Sequence, residues 1–236
     1  MEKLKSISPD FFAVVAYGKI LPQNVLDIPK IAPVNVHFSL LPKYRGPAPV
    51  NWAIMNGEEE TGVDTMLMDA GMDTGDILLT AKIPILKKNA GELADELAVT
   101  GAELLIKTLN EFENITPVKQ DNDKATKAPM MNKDMGLIDW SQDAYKIERM
   151  IRAFTPWPAG YSMLDSKKVK IFKSDVVESN HNAAAGTVIN IEKDSITVAC
   201  GNNALKILEL QLEGKKRMDT KSFLTGYKLE KGSLLG

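Results

Sequence analysis

The sequence predicts an α/β fold with two domains, a Rossmann-like parallel sheet followed by a small OB-like β-barrel. In the first half, the apolar runs at residues 11–17 and 31–36 are nearly continuous, as in strands buried on both faces of a parallel sheet. In the second half, shorter runs that alternate with polar residues are separated by turns, which is typical of small barrels. We expect a first domain at residues 1–116, a linker at 117–135 and a second domain at 136–236.

The first domain is predicted to interleave strands with helices. Its long helix has leucines near helical spacing, which indicates an apolar face turned to the core. Its shorter helices begin or stop at prolines, because proline fits the first helical turn and disfavours helix in the residue before it. The linker is polar and contains Pro117 and Pro129. The predicted strands are 11–17, 31–36, 63–68 and 77–83, and the predicted helices are 23–27, 48–55 and 91–112.

The second domain is predicted to open with a helix and to continue as short strands. The helix precedes a segment in which Pro156 and Pro158 flank Trp157. The strands alternate apolar and polar residues, so each has one buried face. The predicted helix is 141–154, and the predicted strands are 168–176, 187–191, 195–199 and 205–212.

Composition points to an ordinary cytoplasmic protein. Of 236 residues, 44% are hydrophobic and 25% are charged, as in globular domains generally. The single cysteine, Cys200, permits no internal disulfide, which fits a reducing compartment. We expect Cys200 to be a buried strand residue. No apolar run reaches the length of a membrane span, and no glycine-rich dinucleotide or P-loop motif is present.

Charge is divided unevenly between the two halves. Residues 1–116 carry 10 Lys and Arg against 16 Asp and Glu, whereas residues 117–236 carry 19 against 15. Two ordinary solvated surfaces would also give such a difference. A basic second half does, however, suit a module that touches a phosphate backbone.

Residues 34–76 hold the residues that most resemble a catalytic site. Asn35 and His37 stand two apart at the end of a predicted strand, so both face the same way. A second strand leads into a loop with three carboxylates. Ligand sites in open α/β sheets form where loops leave the carboxyl ends of strands, and both loops are predicted there. The carboxylates are Asp69, Asp73 and Asp76.

Two interpretations of this stretch remain open on the residues alone. A histidine after a strand is often only hydrogen-bonded structure, and an asparagine there is often a turn former. Asn, His and Asp together also supply an amide donor, a titratable ring and a carboxylate that orients it. The chain has two histidines and one cysteine, a poor set of metal ligands, so we expect no metal.

The motifs in this stretch resemble the 10-formyltetrahydrofolate-dependent formyltransferases. They are Asn-x-His-x-Ser-Leu-Leu-Pro from Asn35, Arg45-Gly46, Glu60-Thr61-Gly62-Val63 and Met72-Asp73-Thr74-Gly75-Asp76. Within that family, the members that formylate methionyl initiator tRNA are the most similar. Their C-terminal domain is matched by Ile138-Asp139-Trp140, by residues 151–158 and by Gly214-Lys215-Lys216-Arg217-Met218. One departure is Phe38, where the family often has a small residue or proline; the sequence leaves open whether its side chain crowds the formyl donor.

The resemblance implies a formyltransferase-type sheet that lacks its opening segment. Such enzymes begin with a βαβ unit and a glycine-rich loop ahead of the strand placed here at residues 11–17. The missing region also carries a loop that engages the tRNA acceptor stem. The resemblance therefore implies a catalytic domain without its first βαβ region, with lowered stability and activity. A complete protein of this kind is expected to be a monomer.

The resemblance also assigns roles to individual residues. Asn35 and a protonated His37 would donate to the formyl oxygen, and Asp73 would keep that histidine charged. Folate, as the formyl donor and not a resident cofactor, would lie against residues 19–21 and 39–42. The folate-pocket residues are Lys19, Ile20, Leu21, Ser39, Leu40, Leu41 and Pro42, and the tRNA candidates are Arg45, Lys215, Lys216 and Arg217.

The implied activity is formyl transfer to the methionine of initiator tRNA, which serves translation initiation. A sugar-nucleotide or other amine N-formyltransferase would share the same Asn, His and Asp. A truncated, inactive RNA-binding form is a further alternative. The motifs after residue 135 favour the tRNA enzyme over the first alternative.

Overall fold

The computed structural model describes residues 2–236, which form two compact units. The first comprises residues 2–53 with Glu58–Leu86 and Glu92–Met130. The second comprises Met131–Gly236, together with the short segments Ile54–Gly57 and Lys87–Gly91.

The sheet of the first unit is mixed, not parallel as predicted. Strand β1 pairs with β2 in parallel, whereas β2 with β3 and β3 with β4 are antiparallel. The strands themselves lie close to the predicted runs. The direction was mispredicted because β3 is buried on both faces along most of its length, and continuous burial gives the same apolar pattern in either direction. The strands, in sheet order, are β1 (Phe11–Val15), β2 (Ala32–His37), β3 (Glu60–Leu67) and β4 (Ile77–Pro84).

Helix α4 (Ala90–Glu111) packs against one face of this sheet. It is the longest helix and the predicted amphipathic one, and it packs closely at Gly101, where an added Cβ would lie 3.0 Å from a methyl of Val36. No helix among residues 2–236 is both long and apolar enough for a membrane crossing. The helices are α1 (Glu2–Ile7), α2 (Gln23–Leu26), α3 (Pro49–Met55) and α4 (Ala90–Glu111), with single 3₁₀ turns at Phe112–Asn114 and Asn122–Lys124.

The structure differs from sequence expectation at the predicted linker. Residues 118–128, here named the strap, pack within the first unit. Val118 exchanges two backbone hydrogen bonds with Ile77, at 2.8 and 2.9 Å. The Arg45 N–H donates to Thr126 at 2.9 Å, and the Ala128 N–H donates back to Arg45 at 2.7 Å. The strap is therefore paired backbone and not a free connection.

The second unit is an antiparallel sheet packed on a helix. Its helix α5 begins where the Asp143 side chain accepts from the Tyr145 N–H, an N-cap that satisfies one of the free amides of the first turn. The strand order is β5-β6-β9-β8-β7, with β10 beside β9. The elements are a 3₁₀ turn (Asp134–Gly136), α5 (Ala144–Phe154), β5 (Gly160–Leu164), β6 (Lys167–Val177), β7 (Val188–Ile191), β8 (Ile196–Ala199), β9 (Ala204–Leu212), β10 (Met218–Asp219) and α6 (Thr220–Gly226).

The predicted OB-like barrel is not present as a closed barrel among the described residues. The terminal strands of the sheet, β5 and β7, do not pair with each other. Residues 232–236 lie between them instead. The Val188 N–H donates to Ser233 at 2.8 Å, and the Gly236 N–H donates to Met163 of β5 at 3.0 Å. Strand patterning missed β5 and β10, and it does not indicate which edge strands meet.

We expect the core of the second unit to respond strongly to a cavity. Leu205 on β9 is fully buried, so Leu205→Ala should lower the free energy of unfolding by about 2 to 5 kcal/mol through lost burial and an unfilled void. Leu137 in the same unit is 55% exposed, and Leu137→Ala should cost about 0.5 kcal/mol or less. Urea unfolding of the full chain, followed by tryptophan fluorescence, measures both. Equal losses in the two variants would contradict the described packing.

Candidate active site

His37 closes strand β2 with its ring buried. Its Nε2 lies 3.0 Å from the carbonyl oxygen of Tyr44. A carbonyl only accepts, so Nε2 carries a hydrogen and donates it. In the neutral ring Nδ1 is then the atom with a free lone pair, and it lies 3.7 Å from Oδ2 of Asp73. That distance is too long for a hydrogen bond but short enough for an ion pair once the ring gains a proton.

The resting charge of His37 differs from the sequence expectation. Burial lowers the pKa of His37 below its usual value, and this outweighs the opposite effects of the Asp73 charge and the Tyr44 carbonyl. Burial disfavours the charged ring because the protein interior solvates charge poorly. His37 is therefore neutral near pH 7, whereas the sequence reading had it protonated. The sequence pattern predicted which side of the strand His37 is on, but it did not predict how deeply His37 is buried.

Asp73 is held from two sides in a left-handed backbone conformation, with φ at 54°. Its Oδ2 accepts from the Gly46 N–H at 2.8 Å. Its own carbonyl accepts from Nε2 of Gln120 at 3.0 Å, and the carbonyl of Gly75 accepts from the same nitrogen at 2.7 Å. Position 75 needs glycine, because a Cβ there would lie 1.8 Å from the Leu67 carbonyl oxygen. The acidic loop is thus a fixed turn.

The route by which Asp73 reaches His37 is not the predicted one. In the antiparallel pairing of β2 with β3, Leu67 lies opposite Val34 and His37 lies opposite Asp64. The acidic loop therefore leaves the sheet beside the start of β2, not beside its carboxyl end. Because Asp73 nevertheless meets His37, the loop must return along β2.

Asn35 lies half-buried on the same side of β2 as His37. Among residues 2–236, its side-chain amide makes no hydrogen bond, so it is available to a substrate. The alternate residues, Val36 and Phe38, turn toward α4, where the Phe38 ring would lie 3.2 Å from a Cβ on Gly101. The bulk of Phe38 is thus on the face away from Asn35 and His37, which bears on the question that the sequence left open.

Asp64 is a buried carboxylate that sequence reasoning missed, because it stands in a run interpreted only as an apolar strand. Its Oδ2 accepts from the Leu41 N–H at 2.6 Å, and its Oδ1 accepts from the Thr80 hydroxyl at 2.5 Å. Burial raises the pKa of Asp64 to about 6, although both hydrogen bonds act in the opposite direction. Asp64 fixes the loop that follows His37. A lone charge in a buried strand was the available signal.

The predicted folate residues occupy two places. Lys19 and Ile20 are exposed and Leu21 is half-buried in the loop after β1. Because β1 and β2 are parallel, this loop starts at the same end of the strands as His37. Ser39 is buried, and its hydroxyl donates to the Lys43 carbonyl at 2.7 Å. Residues 40–42 line a cavity of about 280 Å³ whose lining does not include Asn35, His37 or Asp73.

The predicted tRNA residues also divide. Arg45 is bound within the first unit, since its Nε and Nη2 donate to Oε1 of Gln120 at 3.0 and 2.7 Å. Arg217 donates to both carboxylate oxygens of Glu209 at 2.7 Å and lies over the Phe172 ring. Lys215 and Lys216 are exposed in the turn before β10.

Cys200 is buried, as expected, but it lies just after β8 and not within a strand. Burial raises the pKa of its thiol to about 12, so the thiolate is disfavoured near neutral pH. Within residues 2–236, no group of three or more His, Cys, Asp or Glu side chains is arranged to hold a metal ion.

The chain matches family models and known relatives over nearly its whole length. The family model described as formyl transferase matches residues 1–109, and the formyl transferase C-terminal domain matches residues 130–228. The chain is 49% identical to the methionyl-tRNA formyltransferase of Citrifermentans bemidjiense, with all of this chain and 74% of that protein covered. It is also 49% identical to the methionyl-tRNA formyltransferase of Clostridium novyi, covering 77% of that protein.

A solved structure shares the fold at lower sequence identity. The crystal structure of HypX from Aquifex aeolicus in complex with tetrahydrofolic acid superposes with a TM-score of 0.70 at 21% identity. The match covers 100% of this chain and 44% of that one. It supports the fold described above.

We expect Asp64→Asn to change how stability depends on pH. The unfolded chain loses the Asp64 proton near pH 3.8 and the native state near pH 6, so Asp64 lowers wild-type stability progressively as pH rises through that window. The variant lacks this loss. Its free energy of unfolding relative to wild type should rise by up to about 3 kcal/mol between pH 4 and 6.5.

Urea unfolding at several pH values measures this difference. The lowered pKa of His37 gives the opposite trend but is common to both proteins, so it largely cancels. The control is Asp95→Asn, because Asp95 is exposed on α4 and its removal changes net charge equally. If the free energy of unfolding of Asp64→Asn relative to wild type does not change with pH, or changes as much as that of Asp95→Asn, the raised pKa of Asp64 would be contradicted.

Proposed function

We propose that this chain, which belongs to the methionyl-tRNA formyltransferase family, transfers a formyl group from 10-formyltetrahydrofolate to the amino group of methionyl initiator tRNA. One observation carries the proposal. His37 and Asp73 lie 3.7 Å apart, and Asn35 lies on the same side of β2 as His37, in a chain whose whole length aligns with those relatives at 49% identity. The product would serve translation initiation.

The first chemical step is attack by the methionine amine on the formyl carbon. A carbon–nitrogen bond forms, and negative charge develops on the formyl oxygen. We assign Asn35 to that oxygen, because its amide has no partner within the described residues. Loss of one such donor typically raises the barrier by about 3 kcal/mol.

His37 is proposed as the group that moves the proton. Its neutral Nδ1 can take a proton from the attacking amine, directly or through one water. The imidazolium that results is stabilised by Asp73, 3.7 Å away. Collapse of the intermediate breaks the bond to folate N10, which takes the electron pair and receives the proton from His37. The ring thus begins and ends neutral, in keeping with its lowered pKa.

We place the folate against residues 19–21, 39–42 and the backbone of 69–73. The loop at 19–21 leaves the same sheet edge as His37, and the backbone of 69–73 includes the fixed turn at Asp73. A protein of this fold is known in complex with tetrahydrofolic acid. The formyl donor supplies the transferable carbon, and the chain supplies the donor, the base and their orientation.

The second unit is proposed to contact the tRNA backbone. Residues 117–236 carry the excess of Lys and Arg, and cationic side chains bind phosphates with release of counterions. Within the 215–217 turn, Lys215 and Lys216 are exposed, whereas Arg217 is paired with Glu209. We therefore assign the two lysines, ahead of Arg217, to this contact.

His37→Ala and Asp73→Asn should each reduce formyl transfer by at least about 100-fold. Both residues act on charge formed in the transition state, so binding of folate should change by less than about tenfold. Mass spectrometry of formyl-methionyl-tRNA measures transfer, and fluorescence titration measures folate binding. His181→Ala is the control, because His181 lies elsewhere and its Nε2 contacts the Asn203 carbonyl. Near-normal transfer in either site variant would refute the assignment.

Replacing Lys215 and Lys216 together by alanine should weaken tRNA binding and reduce its salt dependence. Each lost phosphate contact lowers the slope of log K against log salt by somewhat less than one unit, so we expect a change of about 1 to 2. Binding by the full chain is measured from about 50 to 200 mM salt, a range over which phosphate contacts change the affinity strongly. The matched control replaces Lys193 and Lys231, both exposed. An unchanged slope in the first variant would count against the turn as a phosphate contact.

A further inference from the structure

We infer that Gln120 is a positioning residue for formyl transfer, holding the Asp73 loop and the Arg45 loop together so that Asp73 faces His37. The inference rests on the proposed function and deepens it. Gln120 lies in the strap, between the two domains that the sequence predicted. No motif in the sequence pointed to it.

The Gln120 carboxamide is buried and fully used. Gln120 is only 7% exposed. Its two N–H groups go to the carbonyls of Asp73 and Gly75, and its oxygen accepts from Nε and Nη2 of Arg45. A primary amide offers two donors and two lone pairs, so every hydrogen-bonding position is occupied. The amide orientation is also fixed, because only its nitrogen can face carbonyls and only its oxygen can face a guanidinium.

These contacts control the geometry of Asp73. The carbonyls that Gln120 holds belong to Asp73 itself and to Gly75, on either side of Thr74. Asp73 has a left-handed backbone, an uncommon conformation for a residue with a Cβ, and the contacts of Gln120 with the Asp73 and Gly75 carbonyls help to hold it. On the other side, the Gly46 N–H fixes the carboxylate at 2.8 Å. Gln120 therefore sets the backbone from which the carboxylate reaches Gly46 and His37.

The same side chain ties in the second loop. The oxygen of Gln120 accepts from Arg45. The next residue, Gly46, donates its N–H to the Asp73 carboxylate. Arg45 also donates to Asn122 at 2.8 Å. Within residues 118–128, Gln120 is the one residue whose side chain forms hydrogen bonds with both loops. Its removal would release both loops at once, whereas removal of Asn122 would affect Arg45 alone.

Kinetics on the full chain separate positioning from general stability. Gln120→Glu keeps the shape and the acceptor for Arg45, but it cannot donate to the carbonyls while ionised. We expect kcat to fall at least tenfold with KM for 10-formyltetrahydrofolate within about threefold. Asn122→Ala, the matched control, should keep kcat within about twofold. Thermal unfolding verifies that assays are made well below the melting temperature of each variant.

A double variant tests whether Gln120 acts through Asp73. If it does, adding Gln120→Glu to Asp73→Asn should lower kcat no more than twofold further, because the group being positioned is already altered. Two full, additive losses would overturn the inference, as would an unchanged kcat in Gln120→Glu alone.

A readout independent of turnover is the titration of His37 by NMR. The chain has two histidines, and His181→Ala identifies the signal of His37. Asp73 is the charged group that raises its pKa, the Tyr44 carbonyl acts in the same direction, and Asp64 lies opposite on β3. Gln120→Ala frees the Asp73 loop without adding charge, so the pKa of His37 should fall further below its usual value. An unchanged titration would overturn the inference.

The two failures are distinguishable. A wild-type chain that makes no formyl-methionyl-tRNA would contradict the proposed function, yet the His37 titration would still report whether Gln120 holds Asp73 in place. Normal wild-type transfer with an unchanged titration in Gln120→Ala would contradict this inference alone.

Discussion

The hydrogen bond from the Gly46 N–H to the Asp73 carboxylate is the contact on which the candidate site depends. It joins the loop that follows β2 to the loop that follows β3, and it brings the carboxylate to 3.7 Å from His37. Gly46 can make it because the strap pairs with its neighbours, Arg45 and Ala48, and not with Gly46 itself. A side chain at position 46 would place its Cβ 2.6 Å from the Ala128 carbonyl oxygen. Glycine is therefore required by the strap as well as by the loop.

Two carboxylates near His37 differ in role because their surroundings differ. Asp64 is enclosed and serves the Leu41 amide and the Thr80 hydroxyl, and burial raises its pKa to about 6. Asp73 is more open, with 18% of its side chain exposed, and it contacts one amide and approaches His37. A carboxylate that must hold a loop can tolerate a raised pKa. A carboxylate that stabilises a new positive charge on His37 has to lie within ion-pair distance of Nδ1, as Asp73 does.

The sequence predicted most of the helices and strands, though not α1, β5, β10 or α6, and it predicted that His37 and Asp73 come together, but it did not indicate what holds them. Alternation along β2 placed Asn35 and His37 on one face, and the helical spacing of leucines identified α4. Strand direction was not predictable, because β3 is buried on both faces whichever way it runs. Neither was the neutral state of His37, since its pKa depends on burial by distant residues. Gln120 was missed because a polar residue beside prolines has the local pattern of a linker.

The mixed sheet explains why the strap is needed to hold the Asp73 loop near His37. If β2 and β3 were parallel, their following loops would leave at one edge and could meet without support. Because the two strands are antiparallel, the acidic loop starts beside the first residues of β2, whereas His37 is at the other end of that strand. The loop must therefore be held in place where it runs back toward His37. The strap supplies that restraint, and residues 118–128 fall between the two family-model matches, which end at 109 and resume at 130. A description of the chain as two family domains thus omits the segment whose Gln120 side chain contacts both candidate loops of the first domain, at Arg45 and at Asp73 and Gly75.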